Sequence, residues 1–115
     1  MAALTTNVVP LTGLRFDDLL AAATSGGDDC ATGAGVLLVV QNTDAATKDV
    51  TLATPEVVDG DLAVADRTVT VAATTGLTII PVTDRYRDPA TGRAAITYPG
   101  GVTGVKVCVV RTAAS

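Results

Sequence analysis

The sequence contains no histidine and no tryptophan, and its only serines are Ser25 and Ser115. A serine or cysteine nucleophile needs a neighbouring base, which is most often histidine, so neither a Ser–His nor a Cys–His pair can be assembled. The chain also lacks the glycine-rich phosphate-binding motifs of dinucleotide- and ATP-binding folds. These absences predict that the protein is not an enzyme and that it holds no cofactor.

Positive charge and long apolar segments are scarce as well. The net charge is −4, with no run of basic residues. Nucleic-acid binding requires a positive surface, so we expect no nucleic-acid partner. The longest apolar run, residues 36–40, is far shorter than the ~20 residues of a membrane-spanning helix, and the N-terminus lacks the basic start of a signal peptide. We therefore expect no membrane partner and assembly in the cytoplasm.

Only three aromatic residues are present, Phe16, Tyr86 and Tyr98, although 48% of the chain is hydrophobic. The core must therefore be built from valine, leucine, isoleucine and alanine. With 115 residues the chain has the size of one domain, which buries roughly 65% of the surface that the unfolded form exposes. A single core of this size forms without metal ions or many disulfides.

What the chain does contain is a series of short β-prone runs. Residues 68–71 alternate polar and apolar side chains, residues 77–82 form a β-branched run, and the glycine-containing segment between them predicts a hairpin. Further strands are predicted at residues 36–42, 49–54, 93–98 and 105–112. Six or seven strands at this spacing predict an all-β fold, either a small antiparallel sandwich (jelly-roll or immunoglobulin-like) or a barrel.

The remaining segments complete the predicted organisation. Residues 1–10 are interpreted as an extended N-terminal arm or edge strand, followed by a single domain over residues 11–115. Residues 14–24 fit a short helix or a strand. Residues 25–35 are a loop by composition, and residues 57–64 are a connection. In the last strand, Val105, Val107 and Val109 should face inward and Lys106 outward.

Carboxylates and thiols are the remaining candidates for chemistry. Aspartates cluster at residues 28–29, at residues 59–61 and at Asp84 and Asp88, but without the alternation and closing glutamate of an EF-hand. Turn-forming aspartates in solvated loops are the simpler reading, and no metal site is predicted. Cys30 and Cys108 are the only cysteines, and three interpretations stay open: buried thiols, a disulfide, or a reactive thiol.

One group of residues has the composition of a protein-binding surface. Arg85, Tyr86 and Arg87 lie in a predicted loop over residues 83–92, and arginine and tyrosine are enriched where proteins bind proteins. The alternative is a solvated loop tip. The arm offers a second contact through Leu4 and Val8, because an extended segment can add a strand to a partner's sheet edge.

Several segments resemble short proteins encoded near the major capsid genes of tailed phages and prophages of actinobacteria. They are residues 58–71 (VDGDLAVADRTVTV), the opening MAALT, the GGD loop at 26–28, VVQN at 39–42 and GVKV at 104–107. The resemblance spans most of the chain and implies a head decoration or minor capsid protein. Its partners would be the major capsid protein and copies of itself around a capsid symmetry axis.

The resemblance therefore implies a structural virion protein on the capsid exterior, assembled in the host cytoplasm, with no catalytic residue. The alternative is a soluble β-sandwich module that recognises sugars or a cell-surface partner. Three aromatic residues are few for the stacking platforms of a sugar site. Binding to capsids or to glycans distinguishes the two hypotheses.

Overall fold

The structure, a computed structural model, describes residues 2–15, 18–55, 57–58, 62–63 and 65–112. Phe16 and the aspartates at 59 and 61 lie outside the described residues. Short strands dominate the described part of the chain, so the all-β prediction is confirmed. The strands are β1 (Ala2–Ala3), β2 (Thr6–Val9), β3 (Ala21–Ala22), β4 (Asp28–Cys30), β5 (Val36–Asn42), β6 (Lys48–Leu52), β7 (Val57–Val58), β8 (Leu62–Ala63), β9 (Arg67–Val71), β10 (Gly76–Pro81), β11 (Arg87–Asp88), β12 (Arg93–Thr97) and β13 (Val105–Thr112).

Two sheets form a sandwich. Sheet A has the order β1–β4–β12–β6–β9, with β11 beside β12, and sheet B has the order β10–β5–β13–β2, with β3 also beside β13. Most pairs are antiparallel, but β1 pairs parallel with β4 and β2 pairs parallel with β13. Strands β7 and β8 form a separate small hairpin.

The core lies between the two sheets and is built from aliphatic side chains, as the composition requires. Leu38 and Val109 from sheet B and Leu52 and Ile96 from sheet A are fully buried. The predicted inner face of β13 is confirmed, because its three valines are at most 2% exposed whereas Lys106 is exposed. The two-residue period of the strand decides this alternation.

A second, smaller cluster covers the outer face of sheet B. Val39, Cys108 and Val110 point away from the main core, yet each is less than 9% exposed. Leu14, Leu19 and Leu20 pack over them from the segment that follows β2. This segment contains the short strand β3 at its end, and so the strand interpretation of residues 14–24 holds for residues 21–22. Both faces of β5 are thereby buried, as its continuous apolar run predicts.

The N-terminal segment closes one side of the sandwich. It joins sheet A as β1, crosses to the other sheet at Leu4 and joins sheet B as β2. At the crossing, the Leu4 amide donates a hydrogen bond to the Asp29 carbonyl oxygen at 2.8 Å. Arg93 secures this crossing, since its guanidinium donates to the Asp29 carboxylate at 2.7 Å and to the Leu4 carbonyl oxygen at 3.0 Å. Of the two predicted forms, an extended arm or an edge strand, the structure has the edge strand: β1 and β2 lie at the edges of the two sheets.

The predicted hairpin over residues 68–82 is wrong. Strand β9 pairs with β6 in sheet A, whereas β10 pairs with β5 in sheet B, so their connection is an arch from one sheet to the other. Thr74 adopts a φ of 67° in this arch, and a Cβ at Gly76 would overlap the backbone of Ala72. Glycine at position 76 is therefore needed for the close backbone approach.

Two further segments differ from their predictions. The predicted loop over residues 25–35 contains strand β4, and the predicted connection over residues 57–64 contains β7 and β8. In both cases glycine and aspartate disfavour a strand, but pairing with another strand overrides this local preference. No helix in the described residues is long and apolar enough to span a membrane.

Candidate partner-binding surface

The predicted contact residues lie in different places. Leu4 is partly buried against the core, and Val8 in β2 is 46% exposed. Arg85 and Arg87 are exposed, at and just after a short 3-10 helix (Asp84–Tyr86). Leu4 and the arginines line separate cavities, so the structure does not bring the two predicted contacts into one site.

Tyr86 is predicted to be an exposed partner-binding residue, but the structure places its side chain in the core. The ring is only 8% exposed and belongs to the main core cluster. Its hydroxyl accepts a hydrogen bond from Nε of Arg67 at 3.2 Å. A tyrosine is suited to this position because its ring packs inward while its polar end reaches the surface. Sequence reasoning missed Arg67, since no local pattern relates β9 to the 3-10 helix.

The side of the sandwich opposite the N-terminal crossing is an open seam between the edge strands β9 and β10. Along β9, alternate residues face this seam: Val71 is fully buried, Val69 is partly buried and Arg67 is exposed. The side chains that face the seam are thus buried beside the arch and exposed at Arg67, and this exposed end is called the wide end of the seam. The Arg67–Tyr86 hydrogen bond spans the wide end of the seam.

A groove of about 320 Å³ follows this seam. Its lining is mostly apolar and includes Val69, Ile80 and the ring of Tyr86, with Arg67 and Thr83 at one end. Ile79 and Pro81 form its rim on the β10 side. Ile79 is 57% exposed and its neighbour on the same face, Leu77, is 48% exposed. Strand β10 thus presents apolar side chains to solvent at the edge of a sheet.

The hydrogen-bonding pattern shows which main-chain groups of β10 face outward. The Val82 amide donates to the Val36 carbonyl oxygen at 2.9 Å, in register with the β10–β5 ladder. Because hydrogen-bonded residues alternate in an antiparallel pair, Ile80 and Thr78 also bond to β5, whereas Leu77, Ile79 and Pro81 direct their main-chain groups away from it. Pro81 is tolerated here because an outward position needs no N–H donor.

Arginines gather at the wide end of the seam. Arg67 and Arg85 line one cavity of about 460 Å³ together with Asp66, and Arg85 and Arg87 line an adjoining one of about 370 Å³ together with Asp84. The Asp66 carboxylate accepts from the Thr54 amide, and the Asp84 carboxylate accepts from the Thr32 hydroxyl. Among the described residues that line these two cavities, three arginines stand against two aspartates, whereas the whole protein has a net charge of −4.

The aspartate clusters do not form a metal site in the described residues. Asp28 is fully buried in sheet A, where one carboxylate oxygen accepts from the Tyr98 hydroxyl at 2.6 Å and from the Thr24 amide at 3.2 Å. Burial, followed by the hydrogen bond to Asp28, raises the pKa of Tyr98 far above its usual range. Asp28 thus has a structural role, holding together the start of β4 and the end of β12.

Both cysteines are buried free thiols. Cys30 lies in the main core beneath sheet A, and Cys108 lies in the outer cluster of sheet B. Of the three interpretations left open by the sequence, the structure agrees with two buried thiols. Burial raises the pKa of Cys108, and it raises the pKa of Cys30 to about 11 despite the opposing charge of Arg93. A thiol with a raised pKa is a poor nucleophile, which disfavours a reactive role.

The raised pKa of Cys30 predicts that the protein loses stability in alkaline solution. An unfolded thiol releases its proton near pH 9.0 but the folded one keeps it to about pH 11, so in this interval the unfolded state binds fewer protons and the free energy of unfolding falls as pH rises. Two pKa units correspond to about 2.7 kcal/mol. Urea unfolding at a series of pH values measures the loss.

The matched variant for this measurement is Cys30→Ala. It starts from a lower stability, but it should lose less stability than the wild type between about pH 9 and about pH 11, because one titrating group has been removed. Parallel curves for the two proteins would show that the Cys30 thiol does not keep its proton in the folded state.

In comparisons with known proteins, no protein-family model, no curated protein and no solved structure matches this chain.

Proposed function

We propose that the protein is a structural virion protein, a head decoration or minor capsid protein that binds the outside of the major capsid shell and stabilises it. The resemblance carried by residues 58–71 and the other matching segments supports this proposal, and so does the all-β sandwich fold. The observation that carries it is the exposed apolar edge of β10. Proteins normally protect such an edge with charges, proline or a covering element. On β10 a proline occupies only the last position, so the exposed side chains and outward amides of Leu77 and Ile79 favour a binding role.

The attachment surface proposed from the structure is the seam with its arginine cluster rather than the N-terminal segment. The main chain of residues 6–9 already pairs with β13, and Leu4 packs into the core. Arg85 and Arg87 stay in the proposed contact, whereas Tyr86 supports it from the core. Copies arranged around a symmetry axis of the shell would each contribute a modest interface, and multivalency would hold the set together.

The sugar-binding alternative finds no support in the described residues. Tyr86 and Tyr98 are 8% and 9% exposed, and both hydroxyls are engaged in hydrogen bonds within the domain. A stacking platform for a sugar ring requires an exposed aromatic face.

Co-sedimentation with capsids of the phage that encodes the protein tests the proposed function. The labelled protein should pellet with the shells and reach saturation at a fixed number of copies per capsid, and bound protein should raise the temperature at which the shells disassemble. A size-matched β-sandwich protein added at equal concentration should stay in the supernatant. Binding to a glycan array without any binding to capsids would contradict the proposal and favour the alternative.

A further inference from the structure

We propose that the seam between β9 and β10 binds an extended strand of a partner protein, one that carries acidic side chains immediately before a run of alternating apolar residues. The partner strand would add to sheet B along the free edge of β10. This inference rests on the proposed function in so far as the strand would belong to the capsid shell, and the experiment below separates the two.

Main-chain geometry is the first support. In the described part of the chain, β10 has a single neighbouring strand, β5. The amides of Leu77 and Ile79 and the carbonyl oxygens of Leu77, Ile79 and Pro81 are therefore directed towards solvent. These groups form the hydrogen-bonding row that an added strand requires, and main-chain bonds of this kind supply much of the affinity in strand addition.

The groove gives the added strand its side-chain preference. Alternate residues of an added strand would point to the seam, whose floor consists of Val69, Thr78, Ile80 and Tyr86. The residues between them would lie on the outer face beside Leu77 and Ile79, which are exposed. Small apolar side chains fit the seam, and their burial would cover the apolar edge of β10.

The position of the arginines determines which end of the added strand should be acidic. Strand β10 runs from the arch at Gly76 to Pro81, which lies beside Arg67 at the wide end of the groove. The ladders joining β10, β5 and β13 are antiparallel, and an added antiparallel strand would enter at Pro81 and run towards Gly76. Its first residues would therefore lie near Arg67, where carboxylates form charge-assisted hydrogen bonds with a guanidinium.

A second copy of the chain fits the seam less well. Pairing of β10 with its own copy would place the arch end of one molecule against the arginines of the other. The carboxylates near the arch are already engaged, since Asp44 lies 3.1 Å from Nζ of Lys48 and Asp49 accepts from the Thr70 hydroxyl at 2.8 Å. Among the described residues, a copy would thus offer there only carboxylates that already have a hydrogen-bond or ion-pair partner.

The test is a titration of the isotope-labelled full chain, followed by NMR, with a capped peptide of two aspartates followed by alternating valine and threonine. A peptide with two lysines in place of the aspartates is the control. We expect the NMR signals of the Leu77 and Ile79 amides to shift on binding. The acidic peptide should bind at least ~10-fold more tightly than the basic one, a difference of about 1.4 kcal/mol that comes from the charges.

Two protein variants sharpen the result. Ile79→Pro removes an outward amide, in the same orientation as Pro81, together with an exposed side chain. The variant should therefore fold and lose peptide binding, whereas Ile79→Val, which keeps the amide, should still bind. Arg67→Glu should reverse the preference between the acidic and the basic peptide. Since unfolding cannot reverse a preference, this variant keeps the test valid if Ile79→Pro does not fold.

The outcomes separate the inference from the proposed function. Equal affinity for both peptides, or shifts confined to residues outside the seam, would overturn the inference. So would a concentration-dependent dimer whose β10 amides become protected, because a second copy would then occupy the edge. Capsid binding that persists in Arg67→Glu and Ile79→Pro would overturn the inference and leave the proposed function standing. Peptide binding without capsid binding would support the strand-binding seam and overturn the proposed capsid function.

Discussion

Val107→Asp should abolish cooperative folding of the domain. Val107 lies in the middle of β13, is 1% exposed and pairs with the fully buried Val40 of β5. A carboxylate at this position would face the aliphatic core with no cation or donor beside it. Its burial costs several kcal/mol, a large share of the ~5–15 kcal/mol that stabilise a domain of this size.

Lys106→Asp is the matched control for this prediction. Lys106 is the preceding residue of the same strand, but its side chain is exposed and its register partner is Gln41 on the outer face. The same aspartate should change the free energy of unfolding by only about 0.5 kcal/mol there. Circular dichroism melting curves distinguish the two variants. A cooperative transition of Val107→Asp at the wild-type temperature would show that the inner face of β13 is wrongly assigned.

Leu38→Ala should lower the free energy of unfolding by about 2–5 kcal/mol. Leu38 is fully buried at the centre of β5, where it lies between Ile80 of β10 and Val109 of β13 in the register of sheet B. Alanine would leave a cavity, and the rigid backbones of the flanking strands limit how far the core can close around it. Urea unfolding with an unchanged m value measures the loss.

Leu77→Ala is the corresponding control because the same atoms are removed from the exposed edge strand. Leu77 is 48% exposed, so the variant should lose only about 0.5 kcal/mol. A comparable loss in both variants would mean that the β10 edge is buried in the free protein, for example by self-association. Sedimentation velocity on the Leu77→Ala variant and the wild type would then reveal the oligomer.

Candidate site residues were only partly predictable from the sequence. Arg85 and Arg87 were recognised by their residue types, and the structure places both at the exposed end of the seam. Arg67 was not recognised, because its relation to the 3-10 helix depends on a hydrogen bond to Tyr86 across 19 positions of the chain. The sequence indicates that Tyr86 is a surface residue, but the pattern of a three-residue turn carries no information on which side chain packs inward.

Without the structure, one can predict the all-β class, the aliphatic core and the inward face of β13. These properties follow from composition and from the two-residue period of a strand, which operate over a few neighbouring residues. The strand at residues 36–42 was predictable for the same reason, because its continuous apolar run indicates burial on both faces.

The pairing of the strands, by contrast, does not follow from the local sequence. The amino-acid sequence of residues 68–82 is compatible with a hairpin and with an arch. Which of the two forms depends on β6 and β5, the strands that pair with β9 and β10 and lie elsewhere in the chain. The same holds for Asp28, whose burial requires a tyrosine 70 positions away. Local propensity describes the conformation of a segment, whereas partner choice is a competition among all segments for the same buried surface and hydrogen bonds. The open seam is the outcome of that competition, and no local pattern encodes it.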